Sequence, residues 1–528
     1  MRLLNIIEEQ AAGWRAAQEE IQRLRDEINR LKGEQGKPKF KPKKKPKTEL
    51  SSERERRKPV ERKRRRKRDT IAIDREKIVK VDRDSLPADA EFKGYTEVVV
   101  QDVEVKTDNI LFRKEKFYSA SEGKTYLAEL PAGYRGGYGP GVRTWALVLY
   151  FGSQMTEPKI AAWFEQAGIQ ISSGEVSNLL IKGQTRFHEE EAAVYEAGLG
   201  SSPWQHLDDT GTPVDGKGHY CHIMTNPFYT HFMTTASKNR LSVLDVLRNG
   251  APRRFRLNAE ALGYMEGAGV SGKVRQKLGA LPQDQDLDEA TLQALLDTHV
   301  SGLGKQSRKW VLDAMAVAAY HAQTDFPVVQ LLVCDDAGQY TWVTEELALC
   351  WVHEGRHYKR LTPVVPLHRQ ELEAFQEAFW KYYDDLLAYR QQPTPQERAR
   401  LDARFDALFS RTTGYAALDD RIAKTRVKKD SLLKVLTHPE IPLHNNPAEL
   451  GARQRVRKRV ISFGPRVTDG VKAWDTFMSL VATTRQLGVN FYDYIYDRIT
   501  EAGHIPPLAS IIAERAQELD LGASWSAP

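Results

Sequence analysis

The chain has 528 residues, of which 41% are hydrophobic and 9% aromatic, so it is long enough for several domains that each bury a core. Its longest strictly apolar runs, such as residues 145–151, are too short for a transmembrane helix, which excludes a membrane protein. Its three cysteines form no CxxC pair, which excludes a disulfide framework and favours a reducing cytoplasm. The net charge of +7 comes from one segment, because residues 37–68 hold 18 Lys and Arg against four Glu and the rest of the chain sums to about −7.

Residues 1–33 carry a heptad repeat. Apolar side chains recur every seven residues and at the complementary core spacing, at Ile7, Trp14, Ile21, Ile28, Leu3, Ala17, Leu24 and Leu31. Such a seam stays dry only against another helix, so we predict a coiled coil that joins this chain to a second copy, or to more than one. The alternative is a helix docked on its own protein.

Residues 34–70 are predicted to be a disordered basic linker. Like charges repel one another there, and four prolines interrupt any helix. A tract this dense in cations would bind phosphates as a DNA-binding arm, with an affinity that falls as salt increases. The alternative is a solvated linker without a partner.

Residues 71–140 predict a small β-rich module, since EVVVQDVEVKTD and ILFRKEKFYSA alternate and AGYRGGYGPG is rich in turn formers. From 141 to 199 the pattern becomes helical, with an N-cap expected at Ser172 or Ser173. Two short helices joined by GIQIS could form a helix-turn-helix that binds DNA. The alternative is a helical connector without groove contact.

Residues 200–500 predict one α/β domain. WQHLDD and PVVQLLVCDD are strands that end in acid, GHYCHIMTN and FYTHFMTTA form a hairpin, and TEELALCWVHEGRHYKRL predicts a helix. Helical insertions are expected near 257–323 and 366–435, and 501–528 is a C-terminal tail. Without the insertions, the order of elements is compatible with a ribonuclease H-like α/β core.

Three acidic residues from distant parts of the chain could meet in this domain. Asp208 and Asp335 each end a predicted buried strand, and Glu449 lies in the first turn of a basic helix. Carboxylate oxygens suit hard cations such as Mg²⁺, and two such ions can support phosphoryl transfer. Asp209 and Asp336 are adjacent to the first two acids, but alternation along a strand lets only one residue of each pair face the site.

Each of these acids has a structural alternative. An Asp often closes a strand into a turn, which would explain Asp208 and Asp335 without any metal. Asn446, Pro447 and Glu449 match a capping box, in which the Glu side chain would bond to the backbone at the start of its own helix.

Basic residues accompany the acids. His353 follows the second acidic strand and is either a phosphate contact or a core residue, whereas Arg356 is expected to touch DNA. The helix that begins near Glu449 carries five cations, and residues four apart on a helix share a face. We predict that this basic face binds DNA phosphates, the alternative being a solvated helix face, through Arg453, Arg455, Arg457, Lys458 and Arg459.

The chain resembles, in several short segments taken in order, the transposases of insertion-sequence family sixty-six. The segments are YGPGVRTWALVLYF with ISSGEVSNLL, HLDDT, CDDAGQY, CWVHEGRHY and NNPAELGARQRVRKRVISFG, and the zipper-like start belongs to the same plan. The resemblance implies a bacterial DDE transposase that acts on DNA ends and target DNA. In that mechanism Asp208, Asp335 and Glu449 would bind two Mg²⁺ ions, for which Mn²⁺ could substitute.

Some features depart from the family pattern. Residues 71–200 hold no cysteine where the family usually has a zinc-binding module, so we predict no structural zinc. Asp209, Asp336 and Leu450 replace the usual Glu, Gly and Arg. Two other functions remain open: a nuclease with the same metal site that does not join strands, and a non-catalytic DNA-binding or scaffolding protein.

Overall fold

The computed structural model describes residues 1–32, 71–135 and 137–526. The predicted basic linker at 34–70 therefore lies outside the described residues. Within the described ranges, no helix has both the length and the apolar character needed to cross a bilayer.

The first helix, α1 (Arg2–Leu31), docks on its own chain through polar side chains. The Glu8 carboxylate accepts hydrogen bonds from the backbone N–H groups of Val364 and Val365, at 3.0 and 2.8 Å, and lies 3.3 Å from His368 Nδ1. This contact is the arrangement that the sequence left open as the alternative to a coiled coil.

The heptad seam of α1 lies on a different face, which is exposed. Trp14 is 64% exposed and Ile21 is 49% exposed, and the same holds for the other large seam residues, Leu3, Ile7, Leu24, Ile28 and Leu31. Docking of α1 on its own chain therefore leaves the seam free, and the coiled coil with another copy stays a prediction.

The described residues between 71 and 135 are mostly extended and exposed. Their strands form one antiparallel hairpin, β1 (Lys116–Ser119) with β2 (Lys124–Leu127). Val98 and Val103 are 79% and 80% exposed, because no second layer covers this alternating segment within the described chain. The predicted β-rich module is therefore reduced to a hairpin and an extended arm.

Between the hairpin and the main sheet, the described chain forms four helices. They are α2 (Pro140–Leu147), which continues as a π-helical turn at Val148–Gly152, α3 (Glu157–Gln166), α4 (Ser173–Ile181) and α5 (Thr185–Gly200). The predicted N-cap is Ser172, whose Oγ accepts a hydrogen bond from the N–H of Glu175 at 3.1 Å. Phe151 stacks on Phe477 with ring centroids 4.8 Å apart, which joins this region to the C-terminal helices.

The sheet domain begins with β3 (Trp204–Val214), β4 (Lys217–Asn226), β5 (Tyr229–Thr235) and α6 (Arg240–Leu247). A first insertion contains β6 (Phe255–Arg256), α7 (Ala259–Gly267), α8 (Gly272–Leu278), β7 (Asp286–Leu287), α9 (Glu289–His299) and α10 (Lys305–His321). The chain then returns to the sheet as β8 (Leu331–Cys334), β9 (Glu346–Leu349) and α11 (Trp351–Lys359).

A second insertion is helical and has its own core. It contains α12 (Pro366–Gln391), α13 (Pro395–Phe409), α14 (Ala416–Arg426) and α15 (Lys429–Leu432). Buried aromatic residues, among them Phe379 and Phe405, pack there around Trp351 of α11. The remaining helices are α16 (Asn446–Ser462), α17 (Thr468–Gln486), α18 (Phe491–Thr500), α19 (Leu508–Glu518) and α20 (Ala523–Ser526).

The main sheet is mixed, with the strand order β5-β4-β3-β8-β9. The strands β3, β4 and β5 are antiparallel neighbours, and the predicted hairpin is the pair β4 and β5. On the other side β8 runs parallel to β3, and β9 runs parallel to β8. Because β3 and β8 run in the same direction, Asp208 and Asp335 come to one edge of the sheet, where β8 ends. The sequence prediction that the first strand ends at Asp208 is wrong, because β3 continues past it to Val214 in its pairing with β4.

The sequence prediction of a helix over TEELALCWVHEGRHYKRL is wrong at its start. Residues Glu346–Leu349 form β9, and the helix begins only at Trp351. Leu347 pairs with Leu332, and Ala348 pairs with Val333. A short apolar run fits either a strand or a buried helix by periodicity, and here the free edge of β8 determines which one forms.

Candidate functional site

Asp208 and Asp335 lie at the same level on neighbouring parallel strands. The register pairs Gln205 with Leu332 and His206 with Val333. Continuing that register by two residues places Asp208 beside Asp335, and adjacent strands are about 4.8 Å apart. The register therefore brings the two acids together, with Asp208 inside β3 and Asp335 directly after β8.

The electrostatics of Asp208 show that further acids are close. Burial raises its pKa to about 7, and the nearby carboxylates of Asp335, Glu449 and Asp209 add to this increase. The backbone N–H of Asp209, 2.9 Å from Asp208 Oδ1, offsets only part of the effect. Asp335 also has a raised pKa, chiefly from burial, although the N–H of Ala337 at 3.1 Å opposes it. A divalent cation would relieve this concentration of negative charge.

Glu449 reaches this edge because Asn445 fastens the start of α16 to β3. The side chain of Asn445 donates to the Leu207 carbonyl at 2.7 Å, and its Oδ1 lies 3.0 Å from His206 Nδ1. The backbone N–H of Asn445 also points to Cys350 Sγ, at 3.2 Å. The helix that carries Glu449 is thus attached to β3 at Leu207, one residue before Asp208.

Close packing of α16 on the sheet requires a glycine. A Cβ added to Gly451 would lie 2.7 Å from Ile223 Cγ2 of β4, so any larger residue would push the helix away from the sheet. Gly451 therefore allows α16 to pack closely on the sheet and so helps to determine the position of Glu449 relative to the two aspartates.

The capping-box alternative for Glu449 is not what the structure contains. The N-cap residue is Asn445, not Asn446, and its side chain is committed to β3. The Glu449 carboxylate accepts hydrogen bonds from Arg356 Nη2 at 2.9 and 3.2 Å, and from Arg453 at 3.4 Å. Its charge is therefore matched by side chains of α11 and α16.

Potential metal ligands also cluster around Glu449. Among the described residues, two groups of three ligand-type side chains have donor atoms within 4.8 Å of one another. One group is Cys350, His353 and Glu449, and neither group contains Asp208 or Asp335. Glu449 would therefore have to turn away from Arg356 before it could share a cation with the two aspartates.

The second group, Asp336, Glu354 and His357, already has cationic partners. Lys428 bonds to Asp336 and lies 3.1 Å from Glu354 Oε2, and Arg421 also pairs with Glu354. A group whose acids are neutralised in this way is better explained as an ion-pair network that joins α11 to the second insertion.

The neighbouring acids Asp209 and Asp336 have partners of their own. Asp209 Oδ2 accepts from Gln339 Nε2 at 3.0 Å and from the Tyr340 hydroxyl at 3.2 Å, which holds the loop after β8. Burial would raise the pKa of Asp336, but Lys428 outweighs it and lowers that pKa. Both residues act here as structural acids.

The predicted DNA-binding face of α16 is narrower than the sequence suggested. Arg455 is fully buried, 2.9 Å from Asp475, and Lys458 is buried with its Nζ donating to the Tyr150 carbonyl at 2.6 Å. Burial lowers the pKa of Lys458 to about 7. The prediction that these two contact DNA is therefore wrong, because α16 packs one face on the sheet and on α17.

The remaining cations of α16 are accessible to different degrees. Arg453 and Arg457 are exposed and lie four residues apart on one face, whereas Arg459 is half-buried and donates to the Gly211 carbonyl. Arg356 and His353 lie beside Glu449. The accessible basic face of α16 is thus formed mainly by Arg453, which lies beside Glu449, and Arg457.

Removing either exposed arginine should weaken DNA binding in a salt-dependent manner. We expect Arg453→Ala or Arg457→Ala to reduce the slope of log affinity against log salt by about 1, because one phosphate contact is lost. Fluorescence anisotropy with a labelled duplex at several salt concentrations measures the slope. Arg398→Ala, an exposed cation of α13, should leave it unchanged, and an unchanged slope in both α16 variants would count against this surface.

Asn445 is a site residue that sequence reasoning missed. The signal was the Asn-Asn pair before Pro447, which the sequence assigned to helix capping with Asn446 as the cap. Only the fold shows that Asn445 bonds to a strand more than 200 residues earlier in the chain.

Comparisons with known proteins identify the family to which the chain belongs. A family model described as "Transposase IS66 family" matches residues 287–473, a span that includes Asp335, Arg356 and Glu449. The uncharacterized protein y4jO of Sinorhizobium fredii (strain NBRC 101917 / NGR234) is 34% identical over 324 residues, which are 61% of this chain and 99% of that protein. The chain belongs to the IS66 transposase family.

Proposed function

We propose that this protein is a DDE transposase in which Asp208, Asp335 and Glu449 together bind two divalent metal ions and support DNA strand cleavage and strand transfer. The observation that carries the proposal is the parallel pairing of β3 with β8, which puts the two aspartates side by side. Membership of the transposase family supports a nucleic-acid-modifying enzyme.

The order of strands supports a ribonuclease H-like core. Three antiparallel strands come first along the chain, and two parallel strands are added beside the first of them. The two acidic strands are the neighbours at the centre of this sheet. Apart from β9, which the sequence analysis assigned to a helix, this is the order of elements that it associated with such a core.

The donor set fits Mg²⁺, and Mn²⁺ could substitute. Three carboxylates offer hard oxygen ligands, and these cations prefer oxygen. Burial and the neighbouring carboxylates raise the pKa of Asp208 to about 7, so a bound cation would stabilise the charged form of this side chain. Structural zinc has no part in the proposal.

The roles of the chain's own residues follow from this arrangement. Asp208, inside β3, and Asp335, directly after β8, would hold ligand oxygens at fixed positions of the sheet. Arg453 and Arg457 would contact phosphates of the DNA strand. When bound, the two ions would activate the attacking hydroxyl and stabilise the leaving oxygen. Water and then a DNA 3′-OH serve as nucleophiles, so no covalent protein–DNA intermediate forms.

We also propose that the exposed seam of α1 joins two or more copies of the chain. Ile21→Glu should convert the assembly to a monomer, because a charge in the seam would have to be buried. Light scattering combined with size-exclusion chromatography measures the mass. Ala16→Glu adds the same charge outside the seam and should leave the assembly intact, whereas a monomeric wild-type protein would refute this interface.

Strand joining distinguishes the proposed transposase from its two alternatives. The protein would be incubated with Mg²⁺, labelled duplexes that carry the ends of the element, and a supercoiled target plasmid. Labelled ends joined to the plasmid are expected. Cleavage without joining would indicate a nuclease, and binding without cleavage would indicate a scaffolding protein.

A further inference from the structure

We propose that Arg356 is a positioning residue that exchanges the carboxylate of Glu449 for a DNA phosphate and thereby couples metal binding to DNA binding. The inference rests on the proposed function, since it concerns the same three carboxylates. In this proposal, Arg356 determines when Glu449 becomes available to bind a metal ion.

The contacts of Arg356 define its present state. Nη2 lies 2.9 Å from one Glu449 oxygen and 3.2 Å from the other, and Nη1 lies 2.9 Å from His353 Nε2. The Glu449 side chain is only 10% exposed, so the guanidinium occupies much of the space beside its carboxylate. Arg356 thus contacts both Glu449, a proposed metal ligand, and His353, whose ring could also bind a metal.

This arrangement competes with metal binding. A guanidinium stays charged at all ordinary pH values, so Glu449 already has a cationic partner that a divalent ion must displace. In this state Glu449 forms a group of three ligand-type side chains with Cys350 and His353, and no such group among the described residues contains Asp208 or Asp335. Release from Arg356 is therefore the step that would allow the three acids to act together.

The hydrogen bond from Arg356 to His353 also hinders metal binding by that histidine. A guanidinium can only donate, so His353 Nε2 accepts, and the proton of the neutral ring stays on Nδ1. Nδ1 is buried without a hydrogen-bond partner among the described residues and lies 3.7 Å from Glu449 Oε1. While Arg356 is in place, this nitrogen has no free lone pair for a metal.

A DNA phosphate is the partner that can draw Arg356 away. The Arg356 side chain is 35% exposed, whereas Glu449 is 10% exposed, so a ligand arriving from solvent meets the arginine first. Phosphate accepts paired hydrogen bonds from a guanidinium as a carboxylate does. Exchange of the two anions would leave Glu449 free for the metal at the moment when DNA is in the site.

The test measures Mn²⁺ binding to the full-length protein by calorimetry, with and without a 30-base-pair duplex of mixed sequence. In the wild type, we expect the duplex to tighten Mn²⁺ binding about tenfold, and Mn²⁺ to tighten duplex binding by the same factor. Arg356→Gln should bind Mn²⁺ more tightly than the wild type without DNA and should gain nothing when the duplex is added. Arg356→Lys, which keeps the charge without the paired geometry, should be intermediate.

Arg360→Gln is the matched control. Arg360 is the exposed C-cap residue of the same helix, four residues after Arg356. Its removal takes away the same charge and should preserve most of the gain on adding DNA. If Arg360→Gln and Arg356→Gln behave alike, the effect is general electrostatics and the exchange is refuted.

The remaining outcomes separate this inference from the proposed function. A purely structural role for Arg356 predicts weaker Mn²⁺ binding in Arg356→Gln, which would overturn the exchange. Mn²⁺ binding that is lost in Asp208→Asn but unaffected by Arg356→Gln would overturn the exchange and leave the metal site standing. Mn²⁺ binding that is absent, or equal in Asp208→Asn and wild type, would overturn both.

Discussion

Replacing Asp208 with Asn should abolish strand cleavage while DNA binding persists. The amide keeps the shape of the side chain but removes one of the two central carboxylates of the proposed metal site. We expect the cleavage rate to fall by roughly three orders of magnitude or more, which corresponds to about 4 kcal/mol of lost transition-state stabilisation. Cleavage of a labelled duplex in Mg²⁺, with binding measured in parallel, provides the comparison.

Asp209→Asn is the matched control for this prediction. It changes the adjacent residue in the same way, but Asp209 bonds to Gln339 and Tyr340 and the amide oxygen can still accept those hydrogen bonds. Its cleavage rate should stay within about tenfold of the wild type. An active Asp208→Asn protein, or equal losses in the two variants, would contradict the assignment of the site.

Replacing Arg455 with Met should destabilise the protein strongly without removing a DNA contact. Arg455 is fully buried, with Nη1 2.9 Å from Asp475 and Nη2 2.8 Å from Thr234 Oγ1. Its loss leaves Asp475 buried and without its cationic partner, which costs about 3–5 kcal/mol of unfolding free energy. Thermal unfolding of the variant and the wild type measures this loss.

The double variant Arg455→Met with Asp475→Leu tests the cause. Both charges are then removed, so much of the lost stability should return, since replacing a buried pair by apolar residues is often close to neutral. A single variant that is as stable as the wild type but binds DNA more weakly would show that Arg455 lies at the surface, as the sequence analysis had predicted.

Much of the sheet could be predicted from the sequence. The strand before Asp335 was an apolar run closed by an acid, and the hairpin between the two acids in the chain was also recognised. The first strand was recognised only up to its acids, because it continues to Val214. The strand Glu346–Leu349 was missed, because a short segment that leads directly into a helix carries no period of its own. Its identity depends on an open strand edge that only the folded sheet provides.

The site was predictable only in part, for a similar reason. Composition pointed to Arg455 and Lys458 as cations on a basic helix, but burial depends on which face of that helix meets the sheet. The bonds from Asn445 to β3 and from Arg356 to Glu449 join residues far apart in sequence. Such contacts leave no local pattern, so sequence reasoning found the acids and missed what positions them.

The most direct test of the account is to locate metal ions in crystals of the full-length protein grown with Mn²⁺ and a short DNA duplex. Anomalous scattering should show two ions roughly 3.5–4 Å apart, coordinated by Asp208, Asp335 and Glu449. No ion at saturating Mn²⁺, or an ion held by Cys350 and His353 without either aspartate, would contradict the proposed two-metal site.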